Sequence, residues 1–131
     1  MLKPVDGRPA IVVCSTCRFT ADERDGPDGR RGGAVFAEAV RRAAAEDGFE
    51  VQEMACLFAC SQRCVVHLRA EGKIGYVLGR FEPTGEAARA VVDYFRFYLE
   101  SAEGIVPYKD WPEGVKGHFL VRVPPGGFVT D

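Results

Sequence analysis

A chain of 131 residues, 47% hydrophobic and 27% charged, carries enough apolar material for one compact domain with its own core, so it has no need of disulfides or metals merely to fold. Its formal net charge of -2 gives no field for gripping a polyanion, which argues against nucleic acid and anionic membrane surfaces as partners. The opening stretch "MLKPVDGRPAIVVC" sets Lys3, Asp6 and Arg8 before a short apolar run, unlike a secretion signal, and no later segment reaches membrane-spanning length, so a cytoplasmic location is expected.

Residues Ala10 to Val13 are apolar and mostly β-branched, and read as a buried strand that runs straight into "CSTC". Cys14 and Cys17 are therefore expected in the loop after that strand. From Arg18 to Gly33 the chain is charged and rich in turn dipeptides, which predicts an exposed, mobile connection. Phe36, Val40, Ala43 and Ala44 then recur on one face of a helix that Asp47-Gly48 should stop.

Phe49 and Val51 alternate with Glu50 and Gln52, nearly a strand pattern, which puts Cys56 and Cys60 just beyond a second strand end. Val66, Leu68, Ala70 and Ile74, Tyr76, Leu78 alternate on either side of Glu71-Gly72, predicting a hairpin with one face on the core. After Pro83, Thr84 suits an N-cap, and Ala88, Val91, Val92, Phe95, Tyr98 and Leu99 form a helical stripe ending before Gly104. The remaining residues, 104–131, read as an irregular extension packed on the domain of residues 1–103, with one short edge strand at Phe119 to Val123. Strand, helix, strand, hairpin and helix in that order predict an α/β fold with a mixed sheet flanked by helices.

All five cysteines thus fall in loops beyond strand ends, where ligands of such sheets gather. In a reducing compartment an odd number of clustered cysteines, spaced C-x2-C and C-x3-C-x3-C, points to metal, cluster or redox use rather than to a disulfide framework. Three chemistries fit. Four thiolates hold zinc or a 2Fe-2S cluster equally well by count. A thiol-disulfide oxidoreductase would want "CSTC" at a helix N-terminus, where the dipole lowers a thiol pKa, yet the sequence separates Cys17 from its helix by the long loop and leaves three cysteines without a role.

"CLFAC" followed by "VVHLRAEGKIGYVLGRFEP" resembles the second half of thioredoxin-like 2Fe-2S ferredoxins. "VCSTCR", "CLFACSQRCVV", "GKIGYVLGRF" and "RVPP" more closely resemble a predicted metal-binding family found near cobalamin-biosynthesis genes, whose members share that ferredoxin core. The resemblance spans most of the chain. It implies a thioredoxin-like fold and an electron carrier without substrate chemistry of its own, serving a reductive step of corrinoid synthesis. It further implies a 2Fe-2S cluster on Cys14, Cys17, Cys56 and Cys60, a reductase and an electron-accepting enzyme as redox partners, and a homodimer. Cys64 has no counterpart in the ferredoxin pattern; its place at the hairpin entrance should restrict its reach, leaving it spare or an alternate ligand. The rival reading is a cobalt- or zinc-handling protein that uses the same thiolates.

Other residues carry less. His67 is expected to hydrogen-bond on the sheet surface, and His118 has no metal-ligand spacing to any cysteine. "RRGG", Arg30 to Gly33, lacks a phosphate-loop pattern and reads as solvated loop. Tyr94, Phe97, Tyr98 and Trp111 add aromatic surface for core or tail packing, with Phe97 open to a dimer contact. The mixed charges of Arg18 to Arg31 either solvate the loop or steer a partner.

Overall fold

A computed structural model describes residues 2–131. Five strands form one mixed sheet: β1 (Ala10–Cys14), β2 (Glu50–Met54), β3 (Val66–Arg69), β4 (Gly75–Leu78) and β5 (Phe119–Val123), in the spatial order β2-β1-β3-β4-β5. β1 and β2 run parallel with helix α1 (Gly32–Ala44) as their crossover, and every other pairing is antiparallel. Helix α2 (Gly85–Glu100) follows the β3–β4 hairpin and packs beside α1, so both helices lie on one face of the sheet. This is the α/β arrangement the alternation of elements predicts.

One row of side chains shows how register builds the core. Val51, Ile11, Leu68 and Tyr76 stand opposite one another across four strands, and all four are buried beneath the helices. The next row, Gln52, Val12, His67, Val77 and Val121, points to the other face because a strand turns its side chains over at each residue. From α1 the core takes Phe36, Val40, Ala43 and Ala44, and from α2 Ala88, Val91, Val92, Phe95 and Tyr98, the residues the helical spacing selects. Tyr94 packs between core and tail, as expected of it. It is fully buried against Tyr76, Trp111 and Phe119, and among the described residues its hydroxyl is the buried side-chain polar atom left without a partner.

The ends are closed as the sequence signals indicate. Thr84 accepts a hydrogen bond from the Ala87 amide at 3.2 Å, and Gly48 ends the first helical segment in the left-handed region. The hairpin turn contributes a cap the sequence does not signal. Lys73 Nζ donates to the carbonyls of Tyr98, Leu99 and Ser101 at 3.3, 2.7 and 2.7 Å, across the last turn of α2. Those are carbonyls that a helix end leaves without partners.

Residues 18–31 are not a bare solvated connection. Phe19 and Thr20 amides donate to Arg24 and Glu23, Gly26 donates to Arg30, and Asp25 bridges Arg31. "RRGG" also differs from its reading as loop: Gly32 and Gly33 are buried and open α1. The folding of the loop on itself returns the chain to the point it left.

Candidate metal centre

Cys14 is the last residue of β1, and its amide donates to Val65 O at 3.0 Å, so the sheet ladder reaches the first cysteine. The chain then turns under the start of α1. The Gly33 amide donates to Cys17 O at 3.1 Å, and Arg31 Nη1 donates to Thr16 O at 2.9 Å. A Cβ at Gly33 would lie 2.1 Å from Cys14 O and 2.7 Å from the Ser15 carbonyl carbon, so "CSTC" and the first turn of α1 touch backbone to backbone. The long loop therefore does not hold Cys17 away from the helix, as counting along the chain implies; it closes into a hairpin-like excursion that sets helix and cysteines side by side.

The second cysteine loop leaves β2 at Met54 and is tied to the first. The Ser15 amide and hydroxyl donate to Met54 O at 2.9 and 3.3 Å, and the Thr16 hydroxyl donates to Ala55 O. Within this loop burial alternates: Leu57 and Ala59 pack on the core, whereas Cys56, Phe58 and Cys60 are exposed. Phe58 stands at φ 61°, a left-handed conformation that costs a residue with a side chain roughly 1–2 kcal/mol. Its amide donates to Cys56 Sγ at 3.2 Å.

Cys64 does not stand apart. It pairs backbone to backbone with Phe81, N to O at 2.9 Å and 3.4 Å in return, and its side chain is fully buried in the same cluster as Cys14 and Cys17. The strand pairing that should restrict its reach instead aims it inward. Electrostatics bind the three together. A hydrogen bond from the Cys17 thiol holds Cys14 well below the ordinary thiol range, against burial and with help from the backbone at Leu57 and Thr16. Giving that hydrogen bond raises Cys17, as do its burial and the nearby charge of Cys14. Burial pushes Cys64 up to about 12, with Cys14 adding to the effect and Arg63 opposing it.

The five thiols thus form an inner group, Cys14, Cys17 and Cys64, and an outer pair, Cys56 and Cys60. Among the described residues no three Cys, His, Asp or Glu side chains converge as the ligands of one ion. The donor chemistry nevertheless suits a thiophilic metal or an iron-sulfur cluster. Sulfur atoms are plentiful, the Phe58 amide donates to Cys56 Sγ, and the backbone at Leu57 and Thr16 favours the charged form of Cys14.

The two histidines lie elsewhere. His67 pairs between Val12 and Val77 in the sheet, and burial lowers its pKa. His118 stacks on Phe81 at 4.4 Å and its Nδ1 lies 2.8 Å from Gly79 O, a packing role. Sequence reasoning missed Gly33, whose signal was a glycine pair immediately before an amphipathic helix, and Arg80, at φ 64°, whose amide donates to Gln62 O at 2.7 Å and closes the cysteine loop.

Residues 11–125 match the profile of a family described as "Protein of unknown function (DUF1636)", and the chain belongs to that family. No curated protein matches it. It is similar to the solved structure of a thioredoxin-like 2Fe-2S ferredoxin from Aquifex aeolicus, at 18% identity and a TM-score of 0.52, over 94% of this chain and 100% of the other. That likeness establishes a thioredoxin-like fold. Among the described residues no helix is long and apolar enough to cross a membrane.

Proposed function

We propose that this member of the family is an electron carrier holding a 2Fe-2S cluster at the paired cysteine loops. The observation that carries the reading is the tying of two separate cysteine loops to each other, by Ser15 and Thr16 to Met54 and Ala55, with the Phe58 amide turned onto Cys56 Sγ. A dithiol enzyme needs one such loop; this chain joins two. The solved ferredoxin of the same fold supports the proposal.

Bound there, a 2Fe-2S cluster supplies reversible one-electron storage. Cys14, Cys17, Cys56 and Cys60 would hold it, with Cys64 the alternate ligand. Leu57 and Ala59 anchor the outer loop on the core, α1 shields the inner thiols from water, and the Phe58 amide and the backbone at Leu57 offset negative charge on sulfur. The chain needs no group of its own for substrate chemistry. The sequence resemblance supports the finer reading of a cytoplasmic homodimer that receives electrons from a reductase and passes them to an enzyme of corrinoid synthesis.

A second reading has an observation of its own. Cys14, Cys17 and Cys64 lie within one another's electrostatic influence, and three buried thiols with one outer cysteine make a thiolate set suited to zinc or cobalt handling.

Iron, acid-labile sulfide and the visible spectrum of anaerobically purified protein separate the two, because a 2Fe-2S cluster is coloured and contains iron and sulfide, zinc thiolate is colourless, and cobalt thiolate is coloured without iron or sulfide. The expected result is a coloured protein whose colour is lost in Cys56→Ser and Cys60→Ser and kept in Cys64→Ser. A colourless protein with stoichiometric zinc rejects the carrier, and a colourless Cys64→Ser beside a coloured Cys56→Ser or Cys60→Ser transfers a ligand position to Cys64.

A further inference from the structure

Phe58 is 94% exposed although it lies inside the chain, in a loop whose neighbours Leu57 and Ala59 both pack on the core. Its backbone is in the left-handed region, where glycine would sit without strain. A large aromatic that packs on nothing, at a position where its side chain costs stability, is not explained by the fold. It stands between Cys56 and Cys60, the two outer thiols, and Met54 at the start of the same loop is itself 46% exposed. The apolar tip and the outer sulfurs form one surface.

The loop that carries the tip is free of carboxylates. From Met54 to Val66 the chain contains no Asp or Glu, and it contains Arg63. Arg63 adjoins Cys64 and Arg80 is fastened to the loop through Gln62, its Nη1 donating to Gln62 Oε1 at 2.9 Å. Among the described residues neither guanidinium is in an ion pair, so no carboxylate neutralises the charge of either. Arg80 is held in place by Gln62 Oε1 and Gly117 O, neutral acceptors that leave its charge uncompensated.

We propose that Phe58, with Arg63 on the same loop and Arg80 bonded to it, is the docking tip for a protein partner that presents an apolar socket rimmed by carboxylates. Exposed aromatic and arginine side chains are the residue types that dominate interface energies, and cations near the tip orient an acidic partner on approach. As the docking site of a redox partner the tip rests on the electron-carrier reading, since it would bring the partner against Cys56 and Cys60; as a binding surface it does not.

The test uses the full-length protein and an indium tin oxide electrode coated with a mixed film of carboxylate- and alkyl-terminated chains, a surface with the partner's chemistry. Uptake is read by mass, and electron transfer by voltammetry of the same film. Wild type is expected to bind this film, with affinity falling as salt rises. Phe58→Gly should bind about tenfold more weakly while its thermal midpoint rises, because glycine relieves the left-handed backbone; Phe58→Leu should recover part of the affinity. Arg63→Gln with Arg80→Gln should flatten the salt dependence. Unchanged binding by Phe58→Gly, or a fall in its thermal midpoint, overturns the proposal, the first because the tip is not the contact and the second because Phe58 then has a packing role. Phe58-dependent uptake with no voltammetric current leaves the docking tip standing and removes the electron-carrier reading; current with Phe58-independent uptake does the reverse.

Discussion

Gly33 is the residue on which the inner thiols depend most directly. A methyl group there would meet Cys14 O and the Ser15 carbonyl carbon, and both are backbone atoms. Neither is a flexible side chain that can swing away, and the Cys14 and Ser15 amides are tied to Val65 O and Met54 O. Gly33→Ala is expected to destabilise the fold by about 3 kcal/mol, at the upper end of overpacking costs, because either α1 or the "CSTC" turn has to move. Gly7→Ala is the control, since nothing lies within 4 Å of a Cβ at that position. Chemical denaturation of the two variants checks this, and equal stability would mean that the contact between helix and cysteine turn is loose. The same contact explains why the sequence misplaces the helix relative to Cys17: distance along a chain says nothing about a loop that returns on itself.

At the scale of elements, the hairpin and α2 are fastened by one lysine. Lys73 sits in the β3–β4 turn and gathers three carbonyls from the end of α2, while Tyr98 on that helix donates back to Ile74 O at 2.7 Å. The Ile74 amide adds a bond to Glu103 O at 2.9 Å. A cation at a helix C-terminus is favoured by the helix dipole, and here it also replaces water at carbonyls that α2 cannot satisfy. Lys73→Met keeps most of the apolar stem and removes the charge and the donors, so the expected loss is about 1–2 kcal/mol. Amide exchange should speed up in the last turn of α2 and leave α1 unaffected. If the loss is spread evenly over both helices, the lysine does not cap α2.

Across the whole molecule, the segment after α2 supplies more than a cover. β5 pairs with β4, and Phe119 brings an aromatic group against Tyr76, Tyr94 and Trp111, the chain's one tryptophan. Trp111 stacks on Phe119 at 4.4 Å, and its indole N–H donates to Val106 O at 2.9 Å. Tryptophan fluorescence therefore reports on the extension, while far-UV circular dichroism reports mainly on α1 and α2. The two unfolding transitions are expected to coincide, as in a single cooperative unit. An earlier transition in fluorescence would show that residues 104–131 detach before the rest unfolds.

What the sequence settles by itself is what local periodicity and spacing can encode. Alternating Val66, Leu68, Tyr76 and Leu78 specify a hairpin, the Ala88 to Tyr98 stripe specifies α2 with Thr84 as its cap, and two close groups of cysteines fall at or after the ends of β1 and β2. These signals lie within a few residues of one another, so no knowledge of long-range contacts is needed to read them. Which thiols share a neighbourhood is a different kind of fact. Cys64 is buried beside Cys14 and Cys17, and Cys56 and Cys60 are turned outward with Phe58, because β1, β3 and the start of α1 meet at one point while Leu57 and Ala59 rotate the loop between them. Equal four-residue spacing makes Cys56, Cys60 and Cys64 look alike in the sequence; strand pairing across distant segments separates them, and only the folded chain contains that pairing.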